Sequence, residues 1–345
     1  MKIEQGGKQQ MKNIKKLLLL VFLIPFSVNA SLTTNFGLEL SDEEVEHFRN
    51  LGFVDEQLLF VDDETYNKYI NVNGILVAQD IKYYKTVYYA DNSLKYSLNS
   101  IRSMDIEPLS YTYEITKEEY YSNSDNKITT SSVDSEPTET NMKKMVTSLS
   151  YIPAKKQYYA LNYLKWKSLP KNRDRDIIAM TNNNAVAEPV AGSYELNLYV
   201  SRYDECKLIG YSEKINETKK ANWKKGPTGA AGIFDFPENK VQSKSYDEKK
   251  GVPYDCNTPR FKHGKKGTFK YNKPVDGFSL SLGYNLSKVS KAPISVYGIY
   301  KHKKIELFGE PTISISATGI SLSGTFASKY DNMDDTHVRI ENPKW

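Results

Sequence analysis

The residues able to do chemistry are sparse, and few stand at productive spacings. The histidines are His47, His263, His302 and His337, and no two fall at metal-ligand spacing. The His-Glu-x-x-His helix signature is absent, as is the Gly-x-Ser-x-Gly turn that exposes a nucleophilic serine. Cys206 and Cys256 are an even pair, which in an oxidising compartment is most simply a disulfide. It would close a loop of about 50 residues, for which chain entropy gives roughly 4 kcal/mol. The alternative is a pair of free or metal-binding thiols, but a zinc site needs about four ligands and only His263 is near in sequence. Pairing also argues against a Cys-His nucleophile. No catalytic residue, metal site or cofactor is therefore expected.

Other stretches have weaker chemistry. Residues 226–232 (Gly-Pro-Thr-Gly-Ala-Ala-Gly) lack the Lys-Ser/Thr ending of a phosphate loop and read as a mobile surface loop. Just before them Trp223 stands between lysines, where an indole could stack on a sugar ring or dip into a membrane interface. It is the one candidate binding residue, set against a solvated loop carrying one buried ring. The basic run 301–304 (Lys-His-Lys-Lys) reads as a solvated turn. Residues 331–335 (Asp-Asn-Met-Asp-Asp) lack the alternating oxygens and distal Glu of an EF-hand, leaving only an irregular calcium site open. Glycoside hydrolysis needs two carboxylates about 5 to 10 Å apart, a separation set by the fold. A carboxylate-based polysaccharide hydrolase thus stays open as an alternative.

These residues must be positioned by a mostly β architecture. Residues 278–286 alternate Phe278, Leu280, Leu282, Tyr284 and Leu286 with small polar residues, and Ile313, Ile315 and Ala317, then Ile320, Leu322 and Phe326, repeat the pattern. Strict alternation predicts strands with one buried and one wet face. Residues 153–156 (Pro-Ala-Lys-Lys) separate two further strands. Many short strands predict an antiparallel, jelly-roll-like β-sandwich over residues 143–345. Before it, residues 31–72 read as short helices. Ser41 and Glu44 form a capping box, and Val45, Phe48 and Leu51 follow at helical spacing. Residues 73–142 read as Tyr-rich strands and a linker, with the polar stretch 122–140 as an exposed loop. The 26 tyrosines suit strands and also binding surfaces.

Residues 1–30 read as a secretory signal peptide. Lys12, Lys15 and Lys16 precede an apolar run from 17 to 26, and Val28 and Ala30 supply small residues for cleavage near Ala30. Met11 is the better initiator. The run is too short to cross a bilayer core of about 30 Å, and no later stretch is long enough. The chain has 47 basic and 42 acidic residues, but residues 1–30 hold five lysines and one glutamate, so the remainder is near neutral. Neutrality gives no electrostatic case for nucleic acid. A soluble, secreted product with no stable membrane insertion is expected.

Residues 164–170 (Leu-Lys-Trp-Lys-Ser-Leu-Pro), followed by Arg173, Asp174, Arg175 and the run Asp176, Ile177, Ile178, Ala179, resemble a segment of exported proteins of low-GC Gram-positive bacteria. That group reads Trp-Lys-x-Met-Pro, Arg-Ser-x-Asp and an apolar close, and this chain has Leu169 and Asp174 in place of Met and Ser. Residues 297–302 and 329–333, and the acidic helical start before Tyr-rich sequence, are similar as well. The resemblance implies compartment and architecture, and no catalytic residue.

The expected function is therefore non-catalytic binding of a glycan or surface protein at the cell envelope or in the medium. The alternatives are the hydrolase and a membrane-active, toxin- or bacteriocin-like protein in which strands such as 278–286 or 313–326 form a barrel hairpin.

Overall fold

A computed structural model describes residues 32–89, 110–122, 137–170, 175–183, 186–206, 211–220, 223–235, 240–247, 266–273, 275–303, 312–322, 330–331 and 333–345. Residues 1–30, read from the sequence as a leader, fall outside the described residues. Strands β1 (Leu32–Thr33) and β2 (Glu39–Leu40) precede helices α1 (Asp42–Asn50), α2 (Asp55–Leu58) and α3 (Asp63–Tyr69). Then come β3 (Ile75–Tyr89), β4 (Ser110–Ile115), α4 (Lys117–Tyr121), β5 (Pro137–Ile152), β6 (Gln157–Trp166), β7 (Arg175–Asn182), β8 (Ala187–Pro189) and β9 (Glu195–Cys206). The remainder is β10 (Tyr211–Lys220), β11 (Trp223–Gly226), β12 (Gly229–Asp235), β13 (Lys240–Asp247), β14 (Lys266–Lys273), β15 (Val275–Lys288), β16 (Ile294–Lys301), β17 (Ile313–Ser316), β18 (Gly319–Leu322) and β19 (Thr336–Ile340).

The fold is the expected antiparallel sandwich. A large sheet runs β13-β14-β9-β15-β6-β5-β3-β4, with β10 on β9 and β8 on β15, and a small sheet runs β11-β12-β7-β16-β19. The main core fills the space between them. Leu280, Leu282, Tyr284 and Leu286 of β15 meet Ile178, Met180, Val296 and Phe234 of the small sheet. Each such leucine, fully buried, contributes about 2 kcal/mol.

The second face of the large sheet is not wet, contrary to the alternation. Ser279 and Ser281 of β15 are buried as well, with Tyr199 Oη 3.2 Å from Ser281 Oγ. The N-terminal helices lie over this face. Their core, with Phe48, Leu51, Leu58 and Tyr69, closes on Ile152, Tyr159 and Leu161 of β5 and β6. The capping box forms as expected, Ser41 Oγ accepting from the Glu44 N–H at 3.3 Å and Glu44 Oε2 accepting from the Ser41 N–H at 2.8 Å. Lys144 donates to Glu56 at 2.8 and 3.0 Å, fixing α2 to β5.

The expected boundary at Lys143 falls inside β5, which begins at Pro137 and pairs along its length with β3. The Tyr-rich strands thus belong to the same sheet as the sandwich, and the polar stretch 122–140 ends in strand rather than loop.

Candidate functional site

The most distinctive feature is the excursion between β16 and β19. It contains β17 and β18, which form a two-stranded sheet joined to neither larger sheet by a ladder. Ile313 pairs with Leu322 and Ile315 with Ile320, while Ser314 faces Ser321. The apolar pairs point inward onto the outer face of the small sheet, against Ile177, Ala179, Ala231 and Ile299, and the serines are exposed. Thr228 Oγ1 donates to the Ile315 carbonyl at 3.4 Å. From Pro311 to Ser328 no residue is charged.

Both roots of this excursion are pinned by buried polar contacts. The chain leaves β16 through His302 and Lys303 and returns at Tyr330 and Asp331, with Lys303 and Tyr330 bridged. The Asp331 N–H donates to the His302 carbonyl at 2.8 Å, and the His302 N–H donates to Asp331 Oδ1 at 2.8 Å. His302 Nδ1 donates to the Asp176 carboxylate at 2.9 and 3.0 Å, and the Lys303 N–H to Asp176 Oδ1 at 3.1 Å. Tyr300 donates to Asp176 and accepts from Trp166 Nε1 at 2.9 Å. Across the interior, Lys143 Nζ of β5 lies 2.5 Å from Asp331 Oδ2 and 4.6 Å from the centroid of the Trp166 ring.

Every member of this network is at most 3% exposed. Burial alone would raise the Asp331 carboxyl, but Lys143 and then His302 outweigh it and hold it below the usual carboxylate range. Burial and the Asp176 charge push the Tyr300 hydroxyl far up, so it serves only as a neutral donor and acceptor.

Several expectations are corrected here. The basic run 301–304 is no solvated turn where described: His302 and Lys303 are 0% and 2% exposed. The Gly-rich stretch 226–232 is no loop either. It makes the β11–β12 hairpin, with Gly226 opposite Gly229 and with Ala230 and Ala231 fully buried. Its glycines permit close approach, since a Cβ at Gly232 would meet Leu196 at 2.2 Å. Asp331, the first residue of the acidic run, is committed to Lys143 and His302, and the described residues hold no group of three or more metal-ligating side chains.

Trp223 opens edge strand β11 opposite Gly232, with its side chain outside what is described. Cys206 ends β9, and Cys256 lies outside the described residues, so their pairing keeps its standing as a sequence expectation. Sequence reasoning missed Lys143, Asp176, His302 and Asp331 as a unit. The available signal was a charge set inside an apolar strand pattern, Lys143 before Met145 and Val146, and Asp176 before Ile177 and Ile178.

Among the described residues no helix is long and apolar enough to cross a membrane, which leaves β-strand crossings untouched. The sequence matches no protein-family model and no curated protein. Among solved structures the chain is similar to one titled "Pore forming protein", at 10% identity and a TM-score of 0.22, over 58% of this chain and 84% of that one. That similarity is too slight to transfer a fold or a function.

Proposed function

We propose that this is an exported, membrane-active protein whose β17–β18 hairpin leaves the small sheet and inserts into a lipid bilayer. The observation that carries the reading is the hairpin itself. It is uncharged and strictly alternating, and apolar packing is its main attachment to the sandwich. Membrane barrels are built from such strands, apolar towards lipid and polar towards the lumen. A spanning strand needs about 9 residues. The uncharged sequence after the Ala317–Thr318 turn, 319–328, reaches that length, while the stretch before it, 311–316, is shorter and would have to take in Glu310 and the residues preceding it. A single hairpin cannot close a barrel, so insertion requires several copies acting together.

Contact with a membrane surface, in place of the expected binding of a glycan or surface protein, is the first step of this reading. Ile81, Tyr111, Tyr113 and Tyr121 are large apolar side chains exposed on or beside the β3–β4 edge, by 38% to 54%. Tyrosines of this kind favour a membrane–water interface. The leader at residues 11–30 and the near-neutral mature charge are consistent with release into the medium.

Dye-loaded liposomes test the proposal. The mature protein at micromolar concentration should release dye, and Ile320→Lys, which places a charge on the lipid-facing side, should not. A well-folded wild-type protein that releases no dye from anionic, zwitterionic or sterol-containing vesicles overturns it.

A further inference from the structure

We propose that Lys143 and Asp331 condense to an intramolecular amide, a self-catalysed isopeptide cross-link between β5 and the returning root of the hairpin excursion. The amine and the carboxylate are already in contact, Nζ lying 2.5 Å from Oδ2, and the two side chains are 0% and 2% exposed. The rings of Trp166 and Tyr300 lie 4.6 and 5.7 Å from Nζ and shield it from water. Fixing nucleophile and electrophile together in a dry site supplies the effective concentration that such a condensation lacks in solution.

The step balances without any co-reactant. The ground state is the ion pair, and a proton moving from Nζ to Oδ2 along their contact gives the neutral amine and acid. Both charges vanish together, which a low-dielectric interior favours over separating them. The Nζ lone pair then attacks Asp331 Cγ, and negative charge develops on Oδ1. The His302 N–H, 2.8 Å from Oδ1, is placed to stabilise that oxyanion. A second proton passes from Nζ to Oδ2, the Cγ–Oδ2 bond breaks, and Oδ2 departs as water. An amide N–H remains. Asp176 acts as a positioning residue: by accepting from the His302 ring and the Lys303 N–H it holds the backbone that presents the His302 N–H.

The intact mass of the purified, fully reduced wild-type protein decides the matter, referenced to the N terminus found in the same sample. The expected mass is one water below that of the sequence, with a branched peptide containing Lys143 and Asp331 after proteolysis. Lys143→Arg keeps the cation but cannot form the same bond, and it should restore the full mass. A wild-type mass equal to the sequence, or a lost water mapping to peptides without these two residues, overturns the proposal.

Discussion

Lys143 on β5 reaches across the sandwich to Asp331, the residue at which the chain returns from the β17–β18 excursion. The contact ties the large sheet to the root of the hairpin, and both partners are buried. Replacing Lys143 abolishes the proposed cross-link and leaves Asp331 an uncompensated interior charge, and the orphaned charge alone typically costs about 3 to 5 kcal/mol. Lys143→Met should therefore lower unfolding stability by at least about 3 kcal/mol, read from urea denaturation. The double variant Lys143→Met, Asp331→Leu should recover the part due to the orphaned charge. A single variant as stable as wild type would contradict this account of the network.

The Glu56–Lys144 pair fastens the helical layer, and its pH dependence has a definite sign. Burial would raise the Glu56 carboxyl, but the Lys144 hydrogen bond and charge prevail and lower it. A depressed carboxylate stabilises the fold above its unfolded pKa of about 4.3 and loses that contribution as pH falls through the folded value. Glu56→Gln should thus cost about 1.5 to 3 kcal/mol near neutrality. The difference from wild type should shrink when denaturation is repeated below pH 4 or so. An unchanged difference at acid pH would remove the pair from the stability account.

Gly298 sits in β16 of the small sheet, packed against Thr147 of β5 and Asn162 of β6 in the large one. A Cβ there would meet Thr147 Oγ1 at 2.0 Å, Thr336 Oγ1 at 2.6 Å and Asn162 Oδ1 at 2.7 Å. Thr147 and Thr336 are themselves hydrogen-bonded, at 2.5 Å, so neither yields freely. Gly298→Ala should cost about 1 to 3 kcal/mol by overpacking, seen as a lower thermal midpoint. Unchanged stability would mean that the sheets separate more easily than their packing implies.

How much of this was legible in the sequence differs from element to element. The Ser41–Glu44 capping box and the Ile313–Leu322 alternation were readable because each is local, set by spacing along one element. The wet face assigned to β15 was not, because Ser279 and Ser281 are covered by helices far away in sequence. The same holds for His302 and Lys303, whose charges read as surface until Asp176 is brought beside them from β7. Gly229 and Gly232 looked like loop residues, yet they are small because neighbouring atoms leave no room, a Cβ at Gly229 meeting the Met180 carbonyl at 2.1 Å.

If the hairpin inserts as proposed, its orientation sets the ion selectivity of the resulting pore. Ser314 and Ser321 are exposed on the folded protein and would line the lumen once inserted. Ser321→Asp should leave unfolding stability within about 0.5 kcal/mol of wild type and shift conducted ions towards cations, measured as a reversal potential across a planar bilayer under a salt gradient. A conducting variant with unaltered selectivity would place the lumen elsewhere.

Insertion of the hairpin is tested most directly by its depth in the bilayer, residue by residue. Single cysteines bearing a fluorophore replace each residue in turn on a background in which Cys206 and Cys256 are changed to serine, and quenching by spin-labelled lipid is measured on liposomes. Strong quenching is predicted at Ile313, Ile315, Ile320 and Leu322, with little at Ser314, Ser316 and Ser321, repeating the alternation of the soluble form. Quenching at none of these positions, while the protein is bound to the vesicles, would contradict the proposal that this hairpin enters the membrane.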